Sequence, residues 1–150
     1  MVFSVRASRP ADHRVLAALL AELLGREALS AELSAALNTN LLRLLSTPGS
    51  TLLVAEDDEG ALVGMVSLWA RWGLFDDAPS AYIDRLVVRR GFEETAVAPA
   101  LLEQALGAAQ ALGCTRVEFC PSEASLLPLE ALERFGFTPV AEGRYGLDVM

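Results

Sequence analysis

The chain contains no lysine. That absence removes Schiff-base catalysis, a pyridoxal site and a phosphate-loop lysine at once. It holds one histidine, His13, so multi-histidine metal centres and most nucleophile–histidine–acid triads go as well. His13 falls near the start of an apolar-striped helix with no serine or cysteine motif beside it, and it reads as a surface residue; no metal site is expected. Cysteine is confined to Cys114 and Cys120. On one strand the pair would share a face but stand roughly 20 Å apart, too far to bridge, so both read as buried thiols. No apolar run approaches the ~20 residues of a bilayer span, and the opening MVFSVRASRP has no signal core. The expectation is a soluble, cytoplasmic protein with no membrane partner. Positive charge is also scarce. A formal net charge of −8 argues against nucleic acid as a partner, since a phosphate backbone needs a basic face.

What is present makes one ordinary domain. One hundred and fifty residues, 53% of them hydrophobic, supply enough core for residues 1–150 to fold as a single unit. Val2 to Val5 reads as a short strand, and Ser8 and Pro10 as the start of a helix that Gly25 ends, with Asp12 favouring its positive dipole end. A second helical region spans Glu27 to Leu45, with a break expected near Asn38-Thr39-Asn40. Thr51–Glu56 and Ala61–Ala70 form a hairpin about Asp57–Gly60. Ala81–Val88 is a further strand, Thr115–Cys120 another, and Phe137–Ala141 with Arg144–Val149 closes the chain as a second hairpin. Gly107, inside the helix that ends at Gly113, is expected to mark close packing on the sheet. The order β–α–α–β–β–β–α–β–α–β–β specifies an α/β fold: a mixed central sheet, helices on both faces and one central parallel pair.

The stretch Leu86–Leu106 organises the rest. Leu86, Val87 and Val88 suit a buried strand, a polar turn follows, and Pro99 lies in the first turn of a helix whose buried face is Leu101, Leu102, Ala105 and Leu106. Strand, turn and helix N-terminus present unpaired N–H groups and a positive dipole end to an anion. Glu93 and Glu94, however, sit where that anion would rest. Acids before a helix also simply stabilise it, by about 0.3–1 kcal/mol each.

This order, with Val5-Arg6, Val54-Ala55-Glu56, Val63-Gly64-Met65-Val66, Tyr82–Val88 and Ala131–Phe137 at the corresponding spacings, resembles the GNAT superfamily of N-acetyltransferases over essentially the whole chain. The resemblance implies acetyl-CoA in a cleft where the two central parallel strands splay apart. Its pantetheine arm would pair with the backbone of Leu86, Val87 and Val88. Its pyrophosphate would rest on a turn of pattern R/Q-x-x-G-x-G/A, matched here by Glu93, Glu94, Thr95, Ala96, Val97 and Ala98. The first position has the wrong sign and the middle glycine is alanine. A unit charge pair about 6 Å apart is worth roughly 0.7 kcal/mol in water and roughly 3 kcal/mol at an effective dielectric near 20. The two glutamates therefore imply weak acetyl-CoA binding unless Arg89 and Arg90 compensate. Ser125, a candidate helix cap, completes the implied cofactor set.

By the same resemblance Asp84 matches the carboxylate that takes the proton from the incoming amine, while the residues alone allow it to be a partner of Arg85 or of a loop amide. The family's general-acid tyrosine falls at Leu132, and Tyr145 is a substitute or a core residue. Trp72 and Phe75, with Trp69, Asp76 and Asp77 nearby, suit the wall of an amine pocket, a loop plug or a homodimer surface. Two functions follow: acetyl transfer to a small-molecule or peptide amine, or a non-catalytic module that keeps the scaffold for ligand binding or dimerisation.

Overall fold

The computed structural model describes residues 2–93, 95–120, 129–141 and 143–149. Strand β1 (Phe3–Ala7) leads through a single 3-10 turn at Pro10–Asp12 into α1 (His13–Leu23) and α2 (Ala31–Ser46). Then come β2 (Ser50–Asp57), β3 (Leu62–Arg71), β4 (Ser80–Val88), α3 (Val97–Ala111), β5 (Arg116–Phe119), α4 (Leu129–Phe135), β6 (Thr138–Ala141) and β7 (Arg144–Asp148). The seven strands form one sheet in the order β1-β2-β3-β4-β5-β7-β6. Its parallel pair is β4–β5, and every other neighbouring pair is antiparallel. The expected α/β architecture is therefore the observed one.

Two cores hold the sheet between its helices. On one face Val63, Val66, Leu68, Ile83, Leu86 and Val88 pack with Val97 and Leu101 of α3 and with Leu132 of α4. On the other, Leu52, Val54, Met65 and Val87 pack with Leu16 and Leu19 of α1 and Leu41 of α2. The alternation of β3 and β4 between these two sets is the period-2 signature of a strand buried on both sides.

Three expectations are corrected. Helix α2 is not broken at Asn38–Asn40 but runs unbroken to Ser46, opened by Ser30, whose Oγ accepts the Leu33 N–H at 3.2 Å. Two asparagines cost a helix only tenths of a kilocalorie each, which the burial of Leu41 outweighs. Gly107 is exposed and a β-carbon there would meet nothing within 4 Å. The close approach between helix and sheet is made by Gly64 of β3, where a β-carbon would stand 2.9 Å from Leu101 Cδ1 and 3.0 Å from Val97 Cγ1. Finally, Cys114 is buried, and burial pushes its thiol pKa up. Cys120, by contrast, is only half-buried.

Candidate functional site

The site begins with a fault in the β3–β4 ladder. Ser67 pairs with Arg85 and the next residue, Leu68, pairs with Ile83, so Asp84 is an extra residue on β4. Such a bulge breaks the alternation and re-aims side chains. Here it brings Asp84 and Arg85, neighbours that would otherwise point apart, to line one groove of about 250 Å³ beside α1 and α2. An adjoining hollow of about 220 Å³ shares Leu44, Ser67 and Asp84 and is bounded by Ser50 and Trp69. Asp84 itself is exposed. Ser67 is 7% exposed, and its Oγ has no hydrogen-bond partner among the described residues.

Immediately after the bulge the parallel pair parts. The β4–β5 register runs from Ser80/Arg116 to Ile83/Phe119 and ends there, whereas β4 stays paired with β3 as far as Val88. From Asp84 to Val88, therefore, one edge of β4 has no strand beside it among the described residues. The side chains of Leu86, Val87 and Val88 are spent in the two cores. What that segment offers a ligand is backbone.

Beyond Val88 the chain turns towards α3. The Arg89 N–H binds the Val63 carbonyl at 2.8 Å and the Phe92 N–H binds the Arg89 carbonyl at 2.9 Å. Gly91 takes the positive φ of 94° that this reversal needs. Glu93 folds back on the turn: its Oε2 accepts the Gly91 N–H at 2.8 Å. Thr95 Oγ1 donates to the Phe92 carbonyl at 2.7 Å and lies 3.4 Å from the Val97 nitrogen, where α3 starts. Ala96 precedes the helix at φ −75°, a conformation open to any residue, while Val97 and Ala98 are buried against the sheet. Of the two arginines that could compensate Glu93, Arg89 has a buried Nε with no hydrogen-bond partner among the described residues, and Arg90 gives its backbone N–H to Glu22 at 3.2 Å. Glu94 and Ser125 lie outside the described residues.

The aromatic residues divide. Trp72 is 66% exposed and Phe75 is 96% exposed on the β3–β4 loop. Neither lines the hollows that hold Asp84; Trp69 does. Tyr145 stands opposite Phe119, the last paired residue of β5, and packs half-buried against the α3-side core. Leu132 is fully buried in that same core. The residues not anticipated are Ser67 and Leu44. Their signal was slight: a serine inside the apolar run of β3, and one leucine among many. Among the described residues no cluster of three acidic, histidine or cysteine side chains is placed to hold a metal, and no helix is long and apolar enough to cross a membrane.

Several solved structures share this fold. An acetyltransferase from Trypanosoma brucei aligns at a TM-score of 0.70 and 19% identity, covering 93% of this chain and 95% of its own. Glucosamine-6-phosphate N-acetyltransferase from Arabidopsis thaliana aligns at 0.72 and 16%, covering 94% and 95%. An aminoglycoside antibiotic 6'-N-acetyltransferase from Acinetobacter baumannii aligns at 0.72 and 16%, covering 93% of each chain. At these identities the likeness is one of fold. No curated protein matches the sequence. The sequence model of the Acetyltransferase (GNAT) family matches residues 17–137. By that match over most of its length, the chain belongs to the GNAT acetyltransferase family.

Proposed function

We propose that the protein is an acetyl-CoA-dependent N-acetyltransferase acting on the amine of a small molecule or peptide, with Asp84 as the base. The observation that carries this reading is the end of the β4–β5 ladder at Ile83/Phe119, one residue before the bulge. Among the described residues it leaves an unpaired strand edge for the pantetheine arm, Leu86 to Val88, directly beside a carboxylate. Backbone hydrogen-bonding groups at such an edge seek partners, so these residues fit an extended amide-bearing chain. Arg89, Glu93, Thr95, Ala96, Val97 and Ala98 form the turn beneath the pyrophosphate.

When bound, acetyl-CoA supplies a thioester carbonyl as the electrophile. The amine nitrogen forms the new C–N bond, the C–S bond breaks and the sulfur leaves as thiolate, while Asp84 accepts the proton that the nitrogen sheds. A thiol pKa near 8.5 lets the thiolate leave without a protein acid, which is consistent with an apolar, buried Leu132 at the position where related enzymes keep a tyrosine. Release of the free thiol from acetyl-CoA in the presence of an amine panel tests the reading. Asp84→Asn should lower kcat by roughly 10²–10⁴ with acetyl-CoA affinity unchanged. An unaltered rate would remove Asp84 from its role.

One observation favours a second reading, the non-catalytic module. The Glu93 carboxylate already occupies the Gly91 N–H of the turn, placing negative charge where a polyanion must bind. Absence of acetyl-CoA binding in calorimetry, even after Glu93→Gln, would select it.

A further inference from the structure

The groove at the bulge has a lopsided lining. Its walls are mostly hydrocarbon, including Leu37, Leu41 and Leu44 of α2 and Met65 of β3, with Asn40 the polar residue that α2 contributes, and its other polar groups gather where β3 faces β4: Ser67, Asp84 and Arg85. Ser67 is the telling member. A hydroxyl more than nine-tenths buried normally has a partner, and leaving one unmade is costly. Its Oγ has none among the described residues, yet it lines both hollows that Asp84 lines. We propose that this groove takes a primary amine bearing one apolar substituent, with its nitrogen held between Ser67 Oγ and the Asp84 carboxylate and its hydrocarbon part along Leu41 and Leu44.

This rests on the acetyltransferase reading and narrows it to a substrate class. Asp84 attracts the ammonium form and then holds the nitrogen as it loses its proton. Ser67 supplies a hydrogen-bond partner that no described residue uses. The leucines reward each methylene that leaves water, by about four-fold in affinity when its transfer is complete. Arg85 on the same groove opposes a second positive charge, so a diamine of equal length is a poorer ligand than a monoamine. A cavity of about 250 Å³ sits below the usual range for drug-sized ligands. It suits a short alkyl or aryl chain.

The test uses the full chain and three probes: hexylamine, ethylamine and 1,6-diaminohexane. Binding is read first without acetyl-CoA, by tryptophan fluorescence, since Trp69 bounds the hollow and Trp72 does not. Hexylamine should bind about ten-fold or more tightly than ethylamine and more tightly than the diamine, with a signal that survives Trp72→Phe and is lost in Trp69→Phe. Leu44 is 38% exposed, so Leu44→Gln should leave the fold intact while removing most of the preference for hexylamine. Ser67→Ala should weaken hexylamine several-fold without lowering the melting temperature, because the hydroxyl has no bond to lose among the described residues; a purely structural serine would do the reverse. Equal binding of hexylamine and ethylamine, or a preference indifferent to Leu44→Gln, overturns the proposal even if some amine is acetylated. Hexylamine that binds as described but is never acetylated leaves the groove assignment standing and ends the catalytic reading instead.

Discussion

Arg6 and Asp12 are joined by two parallel hydrogen bonds, Nη1 and Nη2 each 2.9 Å from a carboxylate oxygen. The same carboxylate accepts the Arg9 N–H at 2.7 Å and the Ser8 hydroxyl at 3.2 Å. Asp12 thus does more than favour a helix dipole. It ties β1 to the start of α1, and Arg6 carries the tie on to Glu56 of β2. The hydrogen bonds from Arg6 foremost lower the Asp12 pKa from 3.8 to about 2.

A carboxyl whose folded pKa lies below its unfolded value stabilises the fold above the unfolded value and loses that contribution as pH falls through the folded one. The difference is worth about 2 kcal/mol at neutral pH for this buried side chain. Asp12→Asn should therefore lower urea-unfolding stability by about 2 kcal/mol at pH 7. The gap between the two proteins should shrink from pH 4 downward and close near pH 2. A gap that stays constant with pH would mean that the network contributes through shape alone.

The acetyl-CoA turn makes an electrostatic prediction. Wild-type protein should bind acetyl-CoA with a Kd of order 0.1 mM or weaker. Glu93→Arg should tighten binding about ten-fold or more, and by a larger factor at low salt, because screening mutes exposed charges. Calorimetric titration at two salt concentrations measures both effects. Since Ala96 already sits at φ −75°, Ala96→Gly should add little by conformation. Any gain from it would come from closer approach of the backbone to phosphate. Micromolar binding by the wild type would show that the backbone and the arginines suffice.

Two glycines in contrasting surroundings give opposite stability outcomes. Gly107→Ala fills open space in an exposed helix interior and should stabilise by about 0.5–1 kcal/mol. Gly64→Ala drives a methyl group into Leu101 and Val97 and should destabilise by about 1–3 kcal/mol. Thermal melts of both variants check the pair. A stable Gly64→Ala protein would mean that α3 can retreat from the sheet, and acetyl-CoA affinity should then change, because α3 begins at the cofactor turn.

Removal of the aromatic loop tip should be nearly silent in stability. Phe75→Ser alters a side chain that is almost wholly exposed, so the change should stay within about 0.5 kcal/mol. A shift in elution volume or in amine KM for that variant would show that the loop meets a partner or a substrate in solution.

The sheet was legible in the sequence because its strands are short apolar runs between strong turn residues, and because Gly25 and Gly113 stand where helices end. Asp84 was legible through the family resemblance, since the residues alone left it open as a partner of Arg85 or of a loop amide. Even the bulge left a trace, since Asp84 and Arg85 are consecutive polar residues where strict alternation allows one. The continuity of α2 was not legible, because Asn38 and Asn40 argue locally for a break that only the packing of Leu41 overrules. The groove was hidden for a related reason. Leu37, Leu41 and Leu44 have the spacing of any buried helix face, and spacing alone does not distinguish a wall that meets sheet from a wall that meets a cavity. Gly64 and Gly107 were likewise indistinguishable as letters. Their roles differ only through what a β-carbon would touch.

The extra residue in β4 stands outside the reading frame of the strand that carries it. Leu86 and Val88 fall towards α3 and Val87 towards α1, and Ile83 on the near side of the bulge also faces α3. Excising position 84 would leave Arg85 opposite Ser67 and Ile83 opposite Leu68, closing the bulge with every later side chain on the face it already holds. The carboxylate is thus carried by a residue that neither core needs for its register. One inserted residue gives the protein its candidate base without putting the two cores out of phase.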